Sequence, residues 1–462
     1  MDYKKIHFIG MGGISMSGLA QIAMEMGSQV SGSDVNDSEM LNKLAKNGAT
    51  VYIGHDKKNI NDDVDLVVMT AAISDDNPEV VEARRRNLPV WRRSQYIGYL
   101  MRDQVGICVA GMHGKSTTTS LIAEILYELG EDPTVMAGAE VKAIKSNARR
   151  GKSDLLVAEA CEYNRSFLDF EPTVAVLLNV EAEHLDTYRN LNDIMDTFVV
   201  FANKTANQGL LVGCMDDANV RVVMNEVQKT KVGYGMEKRP SDYDGVYWRI
   251  VNLQQKNGRS TWQIEVDEEN LGIDFEIGLP GKFNVLNATA ALVVADFLVL
   301  DIKKVAKVLS GVRGAVRRFD VLGEKDGVIV VDDYGHHPTE LQNAIRAAKD
   351  YFSGRKLWVL FWPHQYNRTE QFWDSFVESF DLVDQLIVLD VYEARKCDTD
   401  KTKVNSKILA KQIHKRGVKV QYIADYQAAL QYIKKNIKKD SVLLTLGAGP
   451  VDVAAREFLN NK

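Results

Sequence analysis

VGICVAGMHGKSTTT, residues 105–119, reads as a strand, a glycine turn and the opening of a helix, and the rest of the chain can be ordered around it. Val105 to Ala110 has the strand pattern, and the helical pattern from Thr117 to Leu129 closes at Gly130, whose missing Cβ suits a left-handed helix end. A turn placed there aims backbone N–H groups and a helix N-terminus at one point, which is how proteins surround phosphate. Lys115 would neutralise phosphate charge and Ser116 would offer its hydroxyl to Mg²⁺. Val109 breaks the full Walker spacing, so the pattern also fits an ordinary strand-to-helix turn with a surface lysine.

Working outward, two acidic segments each follow a run that reads as a buried strand. Glu159-Ala-Cys-Glu162 follows Asp154 to Ala158, and Glu181-Ala-Glu-His184-Leu-Asp186 follows Val174 to Asn179. Ligands of α/β sheets sit at the carboxyl ends of strands, so a phosphate loop in the same sheet gives these segments something to converge on. Mg²⁺ prefers oxygen ligands, which suits Glu159, whereas His184 would suit a specialised site or Mn²⁺. Further on, Asp332-Asp333-Tyr334-Gly335-His336-His337-Pro338 ends another strand. Adjacent histidines rarely meet on one metal and Pro338 suits the first turn of a helix, so the histidines shape that turn and Asp333 is the better contact. Upstream, Gly10-Met-Gly12-Gly13-Ile-Ser15-Met-Ser-Gly18, with Asp34 near the end of the second strand, is a variant dinucleotide fingerprint. Ser15 holds the third glycine position and no hydride-transfer site is evident, so this turn points to a diphosphate ligand without saying which.

At 462 residues and 45% hydrophobic content, the chain is too long for one core. Three α/β domains are expected: a Rossmann-like N-terminal domain over 1–103, a central P-loop-type nucleotide-binding domain over 104–318, and a Rossmann-like C-terminal domain over 319–462. Alternating runs between Val232 and Gly281, VYWRIV, TWQIEV and IDFEIGL, predict an antiparallel insertion in the central domain. The C-terminal third predicts strands at VIVVDD, LWVLFW, LIVLDV, VKVQYI and VLLTLG, with helices such as Leu341 to Phe352 and Ala428 to Ile437. A net charge of -6 supplies no basic excess for nucleic acid. Cys108, Cys161, Cys214 and Cys397 form no CxxC pair, which argues against a disulfide scaffold or cysteine zinc site and fits the cytoplasm. No signal-peptide pattern opens the chain, and Ala290 to Leu300, interrupted by Asp296, falls far short of the ~20 apolar residues of a membrane span. A soluble protein is expected.

Taken in order, IHFIGMGGISMSGLA, GMHGKSTTT, EACEYNRSFL, NVEAEHLDTY, PGKFNVLNATAA, VRRFD, DDYGHHPTE, PHQYNRT and the late GAG, spread from Ile6 to Gly449, resemble the Mur ligase family and within it the alanine-adding branch. The resemblance implies that the first domain binds UDP-N-acetylmuramate through Gly12, Gly13, Ser15, Asp34 and Ser74. It implies that ATP is bound by Gly111, His113, Gly114, Lys115, Ser116 and Thr117 with Asn284 and Asn287, and by Arg318 and Asp333 once the domains close. His337 and Arg368 would meet the substrates from the C-terminal domain. Lys115, Glu159 and His184 would be catalytic, with Ser116, Glu159 and His184 holding Mg²⁺, or Mn²⁺ in its place. The implied protein is a monomer or weak homodimer.

The reaction this resemblance implies is amide formation in peptidoglycan synthesis: ATP converts the lactoyl carboxylate to an acyl phosphate, and the amine of L-alanine displaces phosphate. Activation is needed because a free carboxylate is a poor acceptor for an amine, and positioned cations stabilise charge in both steps. The chain departs from the family at Met112 and Ser116, where Thr is usual, at Gln365, where Arg is common, and at Phe283, where His is common. Three other readings use parts of the pattern. A nicotinamide-dependent dehydrogenase accounts for the first glycine turn but leaves the GKS loop unused. A murein-recycling ligase would join a peptide instead of alanine, against which the DDYGHHPTE form speaks, and a nucleotide-sugar-binding protein would keep the fold without turnover.

Overall fold

The computed structural model describes residues 3–184, 187–256, 258–393, 401 and 403–460, so Asp186 and Cys397 lie outside the described residues. The protein is α/β throughout, with three sheets distributed over two compact units. The first unit is built from the residues up to Asn252 with Trp262–Phe275 and Leu286–Gly314, and the second from Leu253–Thr261, Glu276–Val285 and the residues from Ala315 on.

In the first unit, a five-stranded sheet has the order Thr50–Ile53, Gln29–Asp34, Lys5–Ile9, Leu66–Met69, Val90–Arg92, every neighbouring pair parallel. Ile6 and Phe8 enter one apolar cluster and Ile9 the other, because a strand covered by helices on both faces must be apolar on both. Chain reversal at Gly10 requires its φ of 81°, and a Cβ there would lie 2.6 Å from the Thr70 methyl. The helix that follows, Ile14–Glu25, starts directly at the glycine turn, with Gly13 as its extended N-cap.

The central sheet of the same unit places Val105–Ala110 between Leu155–Glu159 and Val174–Leu177, all parallel. Three neighbouring strands therefore deliver the segments beginning at Gly111, Ala160 and Leu178 to one edge. The run from Val232 to Gly281 carries the expected antiparallel insertion and joins it to the central sheet through one parallel pair. Val246–Lys256 pairs parallel with Lys231–Gly235 and so extends the central sheet; its other neighbour, Arg259–Val266, follows too closely along the chain for a parallel crossover and itself pairs antiparallel with Glu269–Asn270. Alternation of apolar and polar residues reports a strand covered on one face and carries no information about its neighbour's direction.

The second unit holds a six-stranded sheet ordered Asp320–Lys325, Val328–Asp333, Ser441–Leu446, Lys356–Phe361, Gln385–Val388, Val420–Tyr422, parallel except for its first, antiparallel pair. The expected helices are present as Pro338–Tyr351 and Tyr426–Asn436. Both begin before their apolar pattern does, because His337 and Asp425 cap them: each side chain accepts a backbone N–H of the first turn. Among the described residues, no helix is long and apolar enough to cross a membrane.

Candidate active site

The turn after Val105–Ala110 is built on two left-handed glycines, Gly111 at φ 141° and Gly114 at φ 83°. Gly114 is the N-cap of the helix Lys115–Glu128, whose first turn carries no acidic residue, so its positive end is left for an anion. Asn179 fixes the loop from the neighbouring strand end: its Oδ1 accepts the His113 N–H at 2.8 Å and its Nδ2 donates to the His113 carbonyl at 2.9 Å. Asn287 stands directly against the loop, its Oδ1 2.7 Å from where a Cβ on Gly114 would be. Thr117 is nearly buried in the first turn. Met112 sends its side chain into the apolar core, while its carbonyl accepts from Lys115 Nζ at 3.1 Å. The departure at residue 112 thus changes core packing and leaves the backbone contact in place.

Lys115 Nζ also donates to the Gly111 carbonyl and to Glu162, whose carboxylate oxygens lie 3.2 and 3.0 Å away. Glu162 reaches across to His184, with Nε2 3.3 Å from its Oε1. Burial alone would push the Glu162 carboxyl up, but Lys115 and His184 outweigh it and hold the group down at about 2. Burial would lower Lys115, yet the carboxylate of Glu162, with Cys161 and Glu159 beyond it, holds the ammonium above its ordinary value. The pair is therefore ionised, and its members stabilise each other in a buried place. Cys161 next door is pushed up to about 11 by burial, leaving an unreactive thiol.

Ser116 and Glu159 form the other half of the cluster. The Ser116 hydroxyl donates to Glu159 Oε2 at 2.7 Å, and the Gly138 N–H donates to the same oxygen at 3.0 Å. The candidate catalytic and metal-binding residues Lys115, Ser116, Glu159 and His184 are thus brought to one sheet edge, with Glu162 as the joint between Lys115 and His184. Glu162, Glu183 and His184 each offer a ligand atom within 4.8 Å of the others. Asn164, Arg165 and His184 all have positive φ, between 52° and 54°, in the segments that follow two of these strands. Left-handed backbone at non-glycine residues costs roughly 1–2 kcal/mol each and persists where surrounding contacts over-determine it. Those contacts are present: Arg165 is bonded to Asp193 at 2.9 and 2.8 Å, and the Tyr188 hydroxyl donates to the Glu162 carbonyl at 2.6 Å.

In the first sheet, Gly12, Gly13, Ser15 and Asp34 are gathered at one turn. Asp34 Oδ2 accepts the Gly12 N–H at 2.9 Å, and Ser15 accepts from Arg93 at 2.8 Å. Ser74 lies on the loop after Leu66–Met69, where its hydroxyl donates to Asp76.

The second unit holds Asn284, Arg318, Asp333, His337 and Arg368, described by itself. Asn284 Nδ2 donates to the Pro280 carbonyl at 2.7 Å. Asp333 accepts the Phe319 and Gly335 N–H groups at 2.7 Å, and burial pushes its carboxyl up to about 6 against the pull of nearby Arg318. The Arg318 guanidinium lies 5.1 Å from the Tyr334 ring centre. His337 caps the helix Pro338–Tyr351, and Arg368 lies 3.2 Å from His364 Nδ1. Burial holds His336 down at about 3, so it is a neutral side chain at neutral pH. Gln365 has φ 73° and its N–H donates to the Tyr392 carbonyl at 2.9 Å, while Phe283 packs against this unit's apolar cluster.

Sequence reasoning passed over Glu162 as a partner of Lys115, Asn179 as the loop's brace, and Arg93. Glu162 had a signal in its position three residues past a strand end, and Asn179 in closing the next strand. Arg93, 78 residues from Ser15, had none.

Residues 5–105, 109–295 and 317–449 match, in turn, the Mur ligase family catalytic domain, the Mur ligase middle domain and the Mur ligase glutamate ligase domain. The chain is 41% identical over 459 residues to the UDP-N-acetylmuramate–L-alanine ligase of Clostridium acetobutylicum, covering 99% of this chain and 98% of that protein. It is 42% identical over 458 residues to the protein of the same name from Caldanaerobacter subterraneus subsp. tengcongensis, covering 99% and 97%. Among solved structures, the UDP-N-acetylmuramate–alanine ligase of Thermotoga maritima superposes with a TM-score of 0.81 at 27% identity over 98% of each chain.

Proposed function

The chain belongs to the Mur ligase family, and from that premise we propose that it is an ATP-dependent ligase joining L-alanine to the lactoyl carboxylate of UDP-N-acetylmuramate in the cytoplasm. The observation that carries this reading is the cluster of Lys115, Ser116, Glu159, Glu162 and His184 at adjoining strand ends, in a chain that aligns with alanine ligases from end to end.

The loop amides and the positive end of Lys115–Glu128 would hold the nucleotide phosphates, and Lys115 would place its ammonium on them while Gly111 and Met112 keep its amine in the loop. Ser116, Glu159 and His184 would hold Mg²⁺, and the oxygen-rich donor set, with Glu162 and Glu183 beside His184, fits that ion. When bound, Mg²⁺ supplies positive charge against the triphosphate. A lactoyl carboxylate oxygen attacks the γ-phosphorus, and ADP leaves with the electron pair of the broken P–O bond. The free amine of alanine then attacks the carbonyl carbon of the acyl phosphate, phosphate leaves, and the nitrogen loses a proton to give the amide. Developing negative charge in both steps would lie against the fixed cation of Lys115, whose side chain is largely buried, where it is stabilised more than in open water.

The reading is tested by phosphate release from the purified protein with Mg²⁺, ATP and UDP-N-acetylmuramate over a panel of amino acids. Release that depends on L-alanine is expected. No release with any amino acid would remove the ligase assignment.

A further inference from the structure

The first domain contains a fully buried carboxylate, Glu79, that the proposed reaction does not use. It accepts the Ser33 hydroxyl at 2.6 Å and Asn59 Nδ2 at 2.5 Å, and His55 Nδ1 lies 3.3 Å from it. His7 Nε2, also buried, lies 3.7 Å away. Burial would raise the Glu79 carboxyl, but the hydrogen bonds from these neighbours outweigh it and hold the group below its ordinary value. Glu79 sits in the first turn of the helix Pro78–Arg85, where the helix end also favours a negative charge. A buried charge with this many donors orders whatever supplies them.

The suppliers end at the first glycine turn. Ser33 accepts the Gly10 N–H at 2.8 Å and the Met11 N–H at 2.9 Å on its carbonyl, and the next residue, Asp34, accepts the Gly12 N–H. Asn59 donates both to Glu79 and to the Gly54 carbonyl, and the Gly54 N–H donates to the Asp34 carbonyl at 2.7 Å. Glu79 is thus one hydrogen bond from the residue that sets the turn's first two amides, and two residues' bonds from Asp34 on the other side.

We infer that Glu79 is a positioning residue for UDP-N-acetylmuramate: through Ser33 and Asn59 it fixes the strand end against which the Gly10–Gly13 turn is hung. It touches no substrate. The inference rests on the assignment of that turn to the UDP-sugar, so a substrate that does not use the turn would leave Glu79 a stability residue alone.

Glu79→Gln keeps the shape and removes the charge that gathers three donors. The expected result is a rise of about tenfold in KM for UDP-N-acetylmuramate, matched in direct binding of that nucleotide sugar without ATP, with kcat and the KM for ATP within about twofold of the unaltered protein. Ser33→Ala, which cuts the link to the strand end and leaves Glu79 its other donors, should move the same KM in the same direction by a smaller factor, and covers the case in which Glu79→Gln does not fold. A lower melting temperature with unchanged UDP-sugar binding in both variants would overturn the inference. Failure of the unaltered protein to bind UDP-N-acetylmuramate would instead overturn the function it rests on, so the two failures are separable.

Discussion

The phosphate loop after Val105–Ala110 and the glycine turn after Lys5–Ile9 share one plan, a buried parallel strand running through glycines into a helix with no acidic residue in its first turn. What fills the turn differs. The first-domain turn has its Gly12 amide taken by Asp34 and has an arginine, Arg93, at its side. In the central loop a lysine is folded back into the turn and paired with a buried carboxylate, and a serine hydroxyl is bonded to a second carboxylate. Backbone amides at a helix start are enough to hold a diphosphate. Moving a phosphoryl group needs positive charge fixed where negative charge develops, and a buried lysine must be kept charged by a partner before ligand arrives. Under the proposed function, the contrast separates a turn that binds from a loop that reacts.

The largest effect expected is on the reacting loop. Lys115→Ala should lower kcat by about 10²–10³-fold with UDP-sugar binding retained, measured as phosphate release and nucleotide-sugar titration. Near-normal turnover would mean that the two turns differ in nothing that matters. Glu162→Gln strips the counter-charge from Lys115 and should cost about 3 kcal/mol of stability, read from urea unfolding at neutral pH. The sign with pH follows from a folded value held at about 2 against an ordinary 4.5. The stabilisation is present above about pH 4.5 and is lost as pH falls toward 2, so the gap between the two proteins should close in acid. A gap that widened on acidification would mean that Glu162 is protonated in the native protein. His184→Ala should raise the Mg²⁺ needed for half-maximal rate by about tenfold, and an unchanged titration would reduce His184 to a brace for Glu162.

The same contrast explains how far the sequence could be read. Strand–turn–helix units announce themselves locally, through apolar runs and glycines that need positive φ, so both turns and the alternation of strands and helices were legible. Lys115, Ser116 and Glu159 were legible for the same reason, each lying at or just beyond a strand end. The Lys115–Glu162 pairing was not, because it depends on which two strands are neighbours, and sequence order does not reveal that Leu155–Glu159 lies beside Val105–Ala110. The parallel seam that joins Val246–Lys256 to Lys231–Gly235 was not legible, because side-chain alternation is identical in parallel and antiparallel strands covered on one face. The buried assembly at Glu79 drew on residues from four segments, His7, Ser33, His55 with Asn59, and Glu79 itself, none carrying a motif.

The finest cut between the turns comes from adding one methyl group to each. Gly114 has φ 83°, and a Cβ there would meet Asn287 Oδ1 at 2.7 Å, so Gly114→Ala forces a left-handed alanine and displaces Asn287, which stands against the loop. A loss of about 1–2 kcal/mol in stability is expected, with ATP binding weakened as Asn287 moves. Gly13 is at φ -68° and ψ 144°, an extended N-cap, and the nearest atom to its Cβ would be the Gly10 carbonyl oxygen at 3.7 Å. Alanine caps a helix less well than glycine, by some tenths of a kcal/mol, but it also restricts the unfolded chain by a similar amount, so Gly13→Ala should leave stability within about 0.5 kcal/mol. Its effect should fall on the ligand. A methyl at the start of the helix stands where a diphosphate approaches the backbone, and the KM for UDP-N-acetylmuramate should rise about threefold to tenfold while the KM for ATP stays put. If Gly13→Ala instead lowered the melting point and left that KM unchanged, the glycine would serve the fold, and the first turn would lose its claim to be a binding turn.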